Sequence, residues 1–100
     1  MRRTNTTRSG GPFSSAMVQA VWEKGRPIPG YDPRSVRADA CGAPMQRQLY
    51  GVTSSAHGWE VDHVRPVSQG GLDDLRNLQP LQWQNNRHKG DKYPRWTCAV

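Results

Sequence analysis

The segment WEVDHVRPVSQGGLDDLRNLQPLQWQNNRHKGD, residues 59–91, carries the features that decide the fold of this chain. In it, Asp62 stands next to His63 at the end of an apolar stretch, Asn77 follows His63 after fourteen residues, and Asn86 follows Asn77 after nine. These side chains supply a base, an orienting amide and two oxygen ligands for a metal ion. Together they suit the hydrolysis of a phosphodiester bond.

Phosphodiester hydrolysis needs a water that loses its proton near neutral pH and a cation that balances the charge on the phosphoryl oxygens. Histidine has an ordinary pKa of about 6.5, which suits His63 to the role of general base. Mg²⁺ prefers oxygen ligands and usually takes only one or two from protein, so Asp62 and the amide oxygen of Asn86 form a sufficient pair. The same oxygens accept Mn²⁺ as an alternative. One carboxylate and one neutral amide leave the ion with net positive charge to polarise a phosphate.

The same segment predicts a strand, a loop and a helix. Residues 58–64 alternate as a strand, and strict alternation would direct Asp62 and His63 to opposite faces. They can share a site only if the strand ends there, and Pro66 followed by Gly70-Gly71 favours a turn. The other predicted elements are a loop over residues 65–76, an extended segment over 78–81 and a helix over 82–89 that ends at Gly90.

The segment resembles the HNH endonuclease motif in its order of D-H, a proline with a Gly-Gly loop, N-L and N-x-x-K. The resemblance implies an α+β fold in a small single domain, built on a ββα-metal unit at about residues 44–91. It also implies that Asp62 and Asn86 hold one metal ion. His63 would be the general base, and Asn77 would brace the loop and orient the histidine. The spacing is similar to that of the HNH domain of RNA-guided CRISPR nucleases, which also uses an Asp and an Asn for metal.

By the same resemblance the substrate is DNA, and three cations near the expected metal are candidates for contact with its phosphates. These are Arg65, Arg87 and Lys89, because positive charge beside the metal is both tolerated and useful there. Four other polar side chains of the region are interpreted without a role at the metal. His57 is interpreted as solvated or hydrogen-bonded rather than a ligand, and His88 as exposed rather than in contact with phosphate. Asp73 and Asp74 are interpreted as turn-forming or solvated rather than metal-binding.

One departure from the family concerns zinc. Many HNH proteins carry two Cys-x-x-Cys pairs that hold a structural zinc, whereas this chain has Gln82 and Asn85 where the second pair would be and Met45 near the place of a partner for Cys41. Four thiolates cannot be assembled from Cys41 and Cys98 alone, so no structural zinc is expected. Asn85 is interpreted as a helix-surface amide or as a support for a neighbouring ligand.

The composition allows one small, basic domain. The chain has one hundred residues, a formal net charge of +6 and a pI near 10.0, which suit a polyanionic partner. Arg2, Arg3 and Arg8 lie in a polar tract without acidic residues. We therefore expect a disordered basic arm over residues 1–13 and the nuclease domain over residues 14–100. Such an arm can add sequence-independent attraction to phosphates.

The first half of the chain predicts further short elements. They are a helix from Ser14 or Ser15 to Lys24 with Met17, Val18, Val21 and Trp22 inward, an ordered loop over 26–33, a helical turn within 34–41 and a strand over 44–50. No apolar run of eighteen residues is present, so no membrane partner is expected. Two cysteines do not make a disulfide framework, so a reducing, cytoplasmic location is the default, although a single bridge is compatible with the sequence.

The expected function is a divalent-metal-dependent endonuclease that hydrolyses DNA, with a phage or mobile element as the expected context. The alternative is a catalytically inactive nucleic-acid-binding module, or a nuclease subunit that depends on a partner for target recognition. No helix-turn-helix, zinc finger or long basic helix is visible to read bases. The target sequence, nicking against double-strand cleavage, and the oligomeric state stay open.

Overall fold

Two short helices and five strands make up the fold, which a computed structural model describes over residues 4–100. The helices are α1 (Ser15–Trp22) and α2 (Trp83–Lys89). The strands are β1 (Arg26–Pro27), β2 (Val36–Ala38), β3 (Pro44–Gln46), β4 (Trp59–His63) and β5 (Leu78–Gln82). Short 3₁₀ turns lie at Arg47–Leu49, Val67–Gln69 and Leu75–Asn77. The α+β class expected from the sequence is confirmed.

The strands form two antiparallel sheets. One has the order β1-β2-β3, and the other is the pair β4-β5, in which Trp59 lies opposite Gln82 and His63 lies opposite Leu78. The chain passes directly from β5 into α2, so the pair and the helix give the expected arrangement of two strands and a helix. The strand predicted over 58–64 and the helix predicted over 82–89 agree with β4 and α2 within one residue at each end.

Pro80 lies in the middle of β5 without breaking the pair. It is opposite Val61 of β4, and the N–H of Val61 points away from β5 and donates to the Asn5 side chain. In an antiparallel ladder, opposite residues alternate between bonded and non-bonded positions. Because this position is a non-bonded one, the missing N–H of proline costs no ladder hydrogen bond.

Helix α1 packs against β5 and supplies much of the core. Its N-terminus is capped by the Ser14 hydroxyl, which accepts from the Met17 N–H at 3.1 Å. The Trp22 and Trp59 rings lie 5.2 Å apart between centroids. The core cluster consists of Phe13, Val18, Val21, Trp22, Met45, Trp59, Val61 and Leu78. The inward face predicted for this helix is confirmed for Val18, Val21 and Trp22, while Met17 is only partly buried.

The helix predicted to reach Lys24 ends at Trp22, and the loop predicted over 26–33 begins with β1. Two further predictions for the first half of the chain were wrong in part. The segment 34–41, expected to hold a helical turn, contains β2, a three-residue strand that exists because it pairs with β1 and β3. The segment 44–50, expected to be a strand throughout, is extended only as β3 before it turns into a 3₁₀ turn. Both errors concern elements too short for a periodic signal.

A buried carboxylate ties the turn after β2 to the start of α2. Asp39 Oδ1 accepts from the N–H groups of Cys41 and Ala43, each at 2.9 Å. Asp39 Oδ2 accepts from the Gln82 N–H at 2.9 Å and from Asn85 Nδ2 at 3.0 Å. Hydrogen bonds therefore join the turn after β2 to the N-terminal end of α2.

Asn85 and a disulfide fasten the C-terminus to the same point. The Asn85 side chain is completely buried, and its Oδ1 accepts from the N–H groups of Ala99 at 2.7 Å and Val100 at 2.9 Å. Cys41 and Cys98 form a disulfide across 57 residues of sequence. The interpretation of Asn85 as a helix-surface amide was therefore wrong, and the single bridge that the sequence left open is present.

The segment that precedes α1 packs on the domain. Asn5 Oδ1 accepts from the Val61 N–H and from the Tyr50 hydroxyl, each at 2.9 Å, and Thr6 and Phe13 are buried. This differs from the disordered arm expected over residues 1–13, because one amide and one aromatic ring anchor a tract whose composition is otherwise polar. Residues 1–3, with Arg2 and Arg3 of that arm, lie outside the described part of the chain.

None of the helices within residues 4–100 has the length and apolar character needed to cross a bilayer.

Candidate active site

A cavity of about 80 Å³ lies at the end of β4, and Asp62, His63 and Asn86 all line it. Asp62 and His63 can share this cavity because His63 is the last residue of the strand, where the alternation of side chains stops. Asn86 reaches it from α2. The N-terminal residues 4–6 and Asp91 complete much of the wall. The structure thus brings together three of the four residues that the sequence singled out.

Asp62 is a buried carboxylate with two partners. Its Oδ2 accepts from Gln79 Nε2 at 2.9 Å and lies 3.3 Å from the Lys89 ammonium. Burial raises the pKa of Asp62, and the hydrogen bond from Gln79 and the nearby charge of Lys89 offset that rise only in part. An additional cation in the cavity would favour the ionised carboxylate further.

Lys89 does not reach solvent, contrary to the contact with phosphate that the sequence suggested. Its side chain is completely buried, and its ammonium group donates to the His63 carbonyl oxygen at 3.1 Å and to Asp62 Oδ1 at 3.4 Å. A phosphate contact by Lys89 is therefore not compatible with its position. Lys89 joins the C-terminal end of α2 to the end of β4 and so links the elements that carry Asn86 and Asp62.

Asn86 is oriented by an acidic residue that the sequence did not single out. Its Nδ2 donates to Glu60 Oε1 at 2.9 Å, and Glu60 is itself buried and paired with Arg87 at 2.9 Å. The side-chain hydrogen bond that Asn86 makes within residues 4–100 uses the amide nitrogen and not the amide oxygen. The amide nitrogen is thus committed to Glu60, and the oxygen is left available to a ligand in the cavity.

Arg65 and Arg87 retain the exposure that a phosphate contact needs. The Arg87 side chain is 46% exposed despite its pairing with Glu60. Arg65 is exposed, and its Nε donates to the Gln69 carbonyl at 2.7 Å, which holds the guanidinium against the loop. Both therefore stay candidates for contact with nucleic acid.

Asn77 braces the loop between the two strands. Its Oδ1 accepts from the Arg65 N–H at 2.8 Å, and its Nδ2 donates to the carbonyl oxygens of Arg65 at 3.1 Å and Leu72 at 3.0 Å. Gly71 lies where this loop passes close to Arg65. A Cβ atom on Gly71 would come within 1.7 Å of the Arg65 carbonyl oxygen. The bracing expected of Asn77 is present, but its side chain does not contact His63, so it acts on the histidine only through the loop.

Asp73 is the direct partner of His63, which sequence reasoning missed. Its Oδ1 lies 2.8 Å from His63 Nε2, and it also accepts from the Arg8 N–H at 3.2 Å. Burial raises the pKa of Asp73, but the hydrogen bonds from His63 and Arg8 and their charges outweigh it, so the pKa lies below its ordinary value. The sequence interpretation, which weighed a turn-forming or solvated Asp73 only against a metal-binding one, did not include this pairing. The pairing depends on how the loop closes, and the sequence spacing carried no signal for it.

A family model described as HNH endonuclease matches residues 40–92, which is 53 of the chain's 100 residues. The chain belongs to the HNH endonuclease family. No curated protein and no solved structure gives a significant match. HNH proteins are nucleases as a family and depend on a divalent metal, so nuclease chemistry on nucleic acid is the activity of the family to which this domain belongs.

The residues of this HNH domain fit a hard divalent ion. The described part of the chain, residues 4–100, has no cluster of three or more His, Cys, Asp or Glu side chains able to hold a metal. The donor set is instead one carboxylate and one amide oxygen beside a cavity, which matches the sparse protein ligation of Mg²⁺. The other positions of such an ion belong to water and phosphate.

Proposed function

We propose that this HNH domain is a divalent-metal-dependent endonuclease that hydrolyses phosphodiester bonds of DNA. The observation that supports this most is the convergence of Asp62, His63 and Asn86 on one small cavity. A base and two hard oxygen ligands from two separate parts of the sequence, Asp62-His63 and Asn86, meet there. A buried carboxylate next to a histidine in a cavity is an arrangement that is common in catalytic sites.

In this proposal Asp62 and Asn86 hold the ion, Mg²⁺ or Mn²⁺. When bound there, the ion supplies positive charge to the phosphoryl group and to the departing 3′ oxygen. Glu60 keeps the Asn86 amide turned so that its oxygen faces the ligand, and Lys89 fixes the distance between α2 and β4. His63 takes the proton of the attacking water, and the products carry 5′-phosphate and 3′-hydroxyl ends.

DNA as substrate is supported by charge. The chain carries +6 at neutral pH, and Arg65 and Arg87, each next in sequence to a residue that lines the cavity, are exposed. Arginine presents a planar set of donors that suits phosphate oxygens. Contacts of this kind position the backbone without reading sequence, so any preference for a target comes from elsewhere.

A plasmid-cleavage assay tests the proposal. Supercoiled DNA incubated with the protein should be nicked or linearised with Mg²⁺ or Mn²⁺ and should stay intact with EDTA. The ends should accept ligation without prior phosphorylation, which reports 5′-phosphate. Cleavage in EDTA, or no cleavage with either metal under any salt condition at which the protein binds DNA, would contradict the proposal.

The alternative of a binding module without catalysis has one contact in its favour. The Lys89 ammonium already lies 3.3 Å from Asp62 Oδ2, so a cation neutralises that carboxylate without metal. In that case DNA binding would be unaffected by EDTA and no cleavage would accompany it. The plasmid assay separates the two functions because it measures binding and cutting with the same preparation.

A further inference from the structure

His63 is held between a carboxylate and an aromatic ring. Its Nε2 lies 2.8 Å from Asp73 Oδ1, and the Phe13 ring packs 5.9 Å away between centroids. Only 8% of the His63 surface is exposed. The imidazole therefore has one orientation supported from two sides, and neither support comes from the HNH sequence pattern.

The pairing determines which ring nitrogen carries the hydrogen. Asp73 is ionised near neutral pH, because a carboxyl of this type ordinarily titrates near 3.9. An ionised carboxylate only accepts hydrogen bonds, so the 2.8 Å contact requires a hydrogen on His63 Nε2. In the neutral imidazole the lone pair then lies on Nδ1, which is the atom able to accept a proton from water.

Asp73 is itself fixed in place. The Arg8 N–H donates to both of its carboxylate oxygens, at 3.2 and 3.3 Å. Asn77 Nδ2 holds the carbonyl of Leu72, the residue just before Asp73, at 3.0 Å. The N-terminal segment and the loop brace thus meet at the one carboxylate that contacts the histidine.

We propose that Asp73 is the positioning residue for His63: it keeps the hydrogen on Nε2, directs the Nδ1 lone pair to the attacking water and balances the charge of the histidine after proton transfer. This inference rests on the proposed function in one respect, the role of His63 as base. Asp73 itself contacts the histidine and not the substrate.

The first test does not require activity. Long-range ¹H–¹⁵N NMR of metal-free protein at about pH 8.5, well above the ordinary pKa of histidine, reports the tautomer of each ring. We expect His63 to be the Nε2–H tautomer in the wild type and in the control Asp74→Ala, and to become a tautomer mixture in Asp73→Ala. An Nδ1–H tautomer in the wild type, or an unchanged tautomer in Asp73→Ala, would overturn the proposal even if the protein proves inactive.

The second test is a double-mutant cycle on single-turnover cleavage at saturating DNA and metal. Asp73→Ala should slow cleavage by about 10- to 100-fold, as removal of an orienting partner commonly does. The same substitution in a His63→Ala background should change the residual rate less than about 2-fold, because the two residues act as a unit. Asp73→Asn, which keeps an acceptor oxygen, should recover part of the loss.

Equal losses from Asp73→Ala in both backgrounds would show that Asp73 only supports the fold, and a wild-type rate in Asp73→Ala would show that it has no role. A wild-type protein that never cleaves would instead refute the proposed function, and the tautomer measurement would still decide the role of Asp73.

Discussion

At the scale of single residues, the site is dominated by a carboxylate kept away from water. Asp62 is 7% exposed, and burial raises its pKa above the ordinary value of 3.8. A raised pKa means that the folded state prefers the protonated carboxyl, so the contribution of Asp62 to stability declines as pH rises from 3.8 through the folded-state pKa. A divalent ion in the cavity would favour the ionised carboxylate and so oppose this rise in pKa.

The first prediction concerns the ligands. Asp62→Ala should weaken Mn²⁺ binding more than Asn86→Ala does, because it removes a full charge from the cavity while Asn86→Ala removes only a dipole. Calorimetric titration of each variant measures this, with Asp74→Ala as a matched control that removes an exposed carboxylate. Unchanged Mn²⁺ affinity in both site variants would refute the pairing of Asp62 with Asn86.

The second prediction distinguishes a structural role for Lys89 from a phosphate-binding role for Arg65. Lys89→Met should lower the free energy of unfolding by about 3 kcal/mol, because it leaves the buried Asp62 carboxylate without its charged partner. Arg65→Met, at an exposed position, should leave stability nearly unchanged. It should reduce the magnitude of the slope of log DNA affinity against log salt by about 0.9, the value for one lost phosphate contact. Urea titration and DNA binding at several salt concentrations give both quantities. A stable Lys89→Met variant with a reduced salt slope would mean that Lys89 contacts phosphate after all.

At the scale of elements, the outer edge of β4 is closed by the N-terminal segment. The Val61 N–H, which has no partner in β5, donates to Asn5 Oδ1 at 2.9 Å. Asn5 therefore supplies a hydrogen-bond acceptor for one backbone N–H of this edge, where a third strand would supply partners along the whole edge. The same segment then reaches Asp73 through the Arg8 N–H, so it joins the strand edge to the loop between β4 and β5.

A deletion of residues 1–12 tests this role. We expect the deletion to lower the free energy of unfolding by about 1–3 kcal/mol, since the buried Val61 N–H loses its acceptor, and to slow cleavage at saturating DNA. Ser9→Ala, at an exposed turn position, is the control and should change neither quantity. If the truncated protein matches the full chain in urea midpoint and in rate, the segment is a bystander, as expected of a disordered arm.

Elements with local signals could be predicted from the sequence, and those that depend on distant partners could not. Strand β4 has an alternating pattern, and helix α2 ends just before Gly90. The predicted bounds of both elements agree with the structure within one residue at each end. Strand β2 has only three residues and is stabilised by pairing with its neighbours. Likewise Asp62, His63 and Asn86 share a cavity as the motif implied, whereas the contact of Asp73 with His63 arises from closure of the loop.

At the scale of the whole molecule, the C-terminus is fastened to the middle of the chain. The Cys41–Cys98 disulfide and the two backbone bonds to Asn85 hold the last residues against the turn after β2. This turn also binds the start of α2 through Asp39. Three distant parts of the sequence are therefore joined at one place in the fold.

Reduction of the disulfide should weaken the fold. A bridge across 57 residues removes unfolded-chain entropy worth about 4 kcal/mol in the chain-entropy model, within a usual range of about 2–5 kcal/mol. The urea midpoint should therefore fall when reductant is added to the wild type. The double variant Cys41→Ala/Cys98→Ala should start at the lower midpoint and show no response to reductant. Equal midpoints with and without reductant in the wild type would show that the bridge contributes nothing.

The most direct test of a metal-dependent nuclease centred on His63 is the single-turnover cleavage rate of His63→Ala at saturating Mg²⁺ and DNA. Loss of a general base should lower that rate by roughly two to four powers of ten. Mn²⁺ affinity, measured on the same preparation, should stay close to that of the wild type, because Asp62 and Asn86 are intact. Cleavage at the wild-type rate by His63→Ala would contradict the assignment of the base and with it the proposed catalytic site.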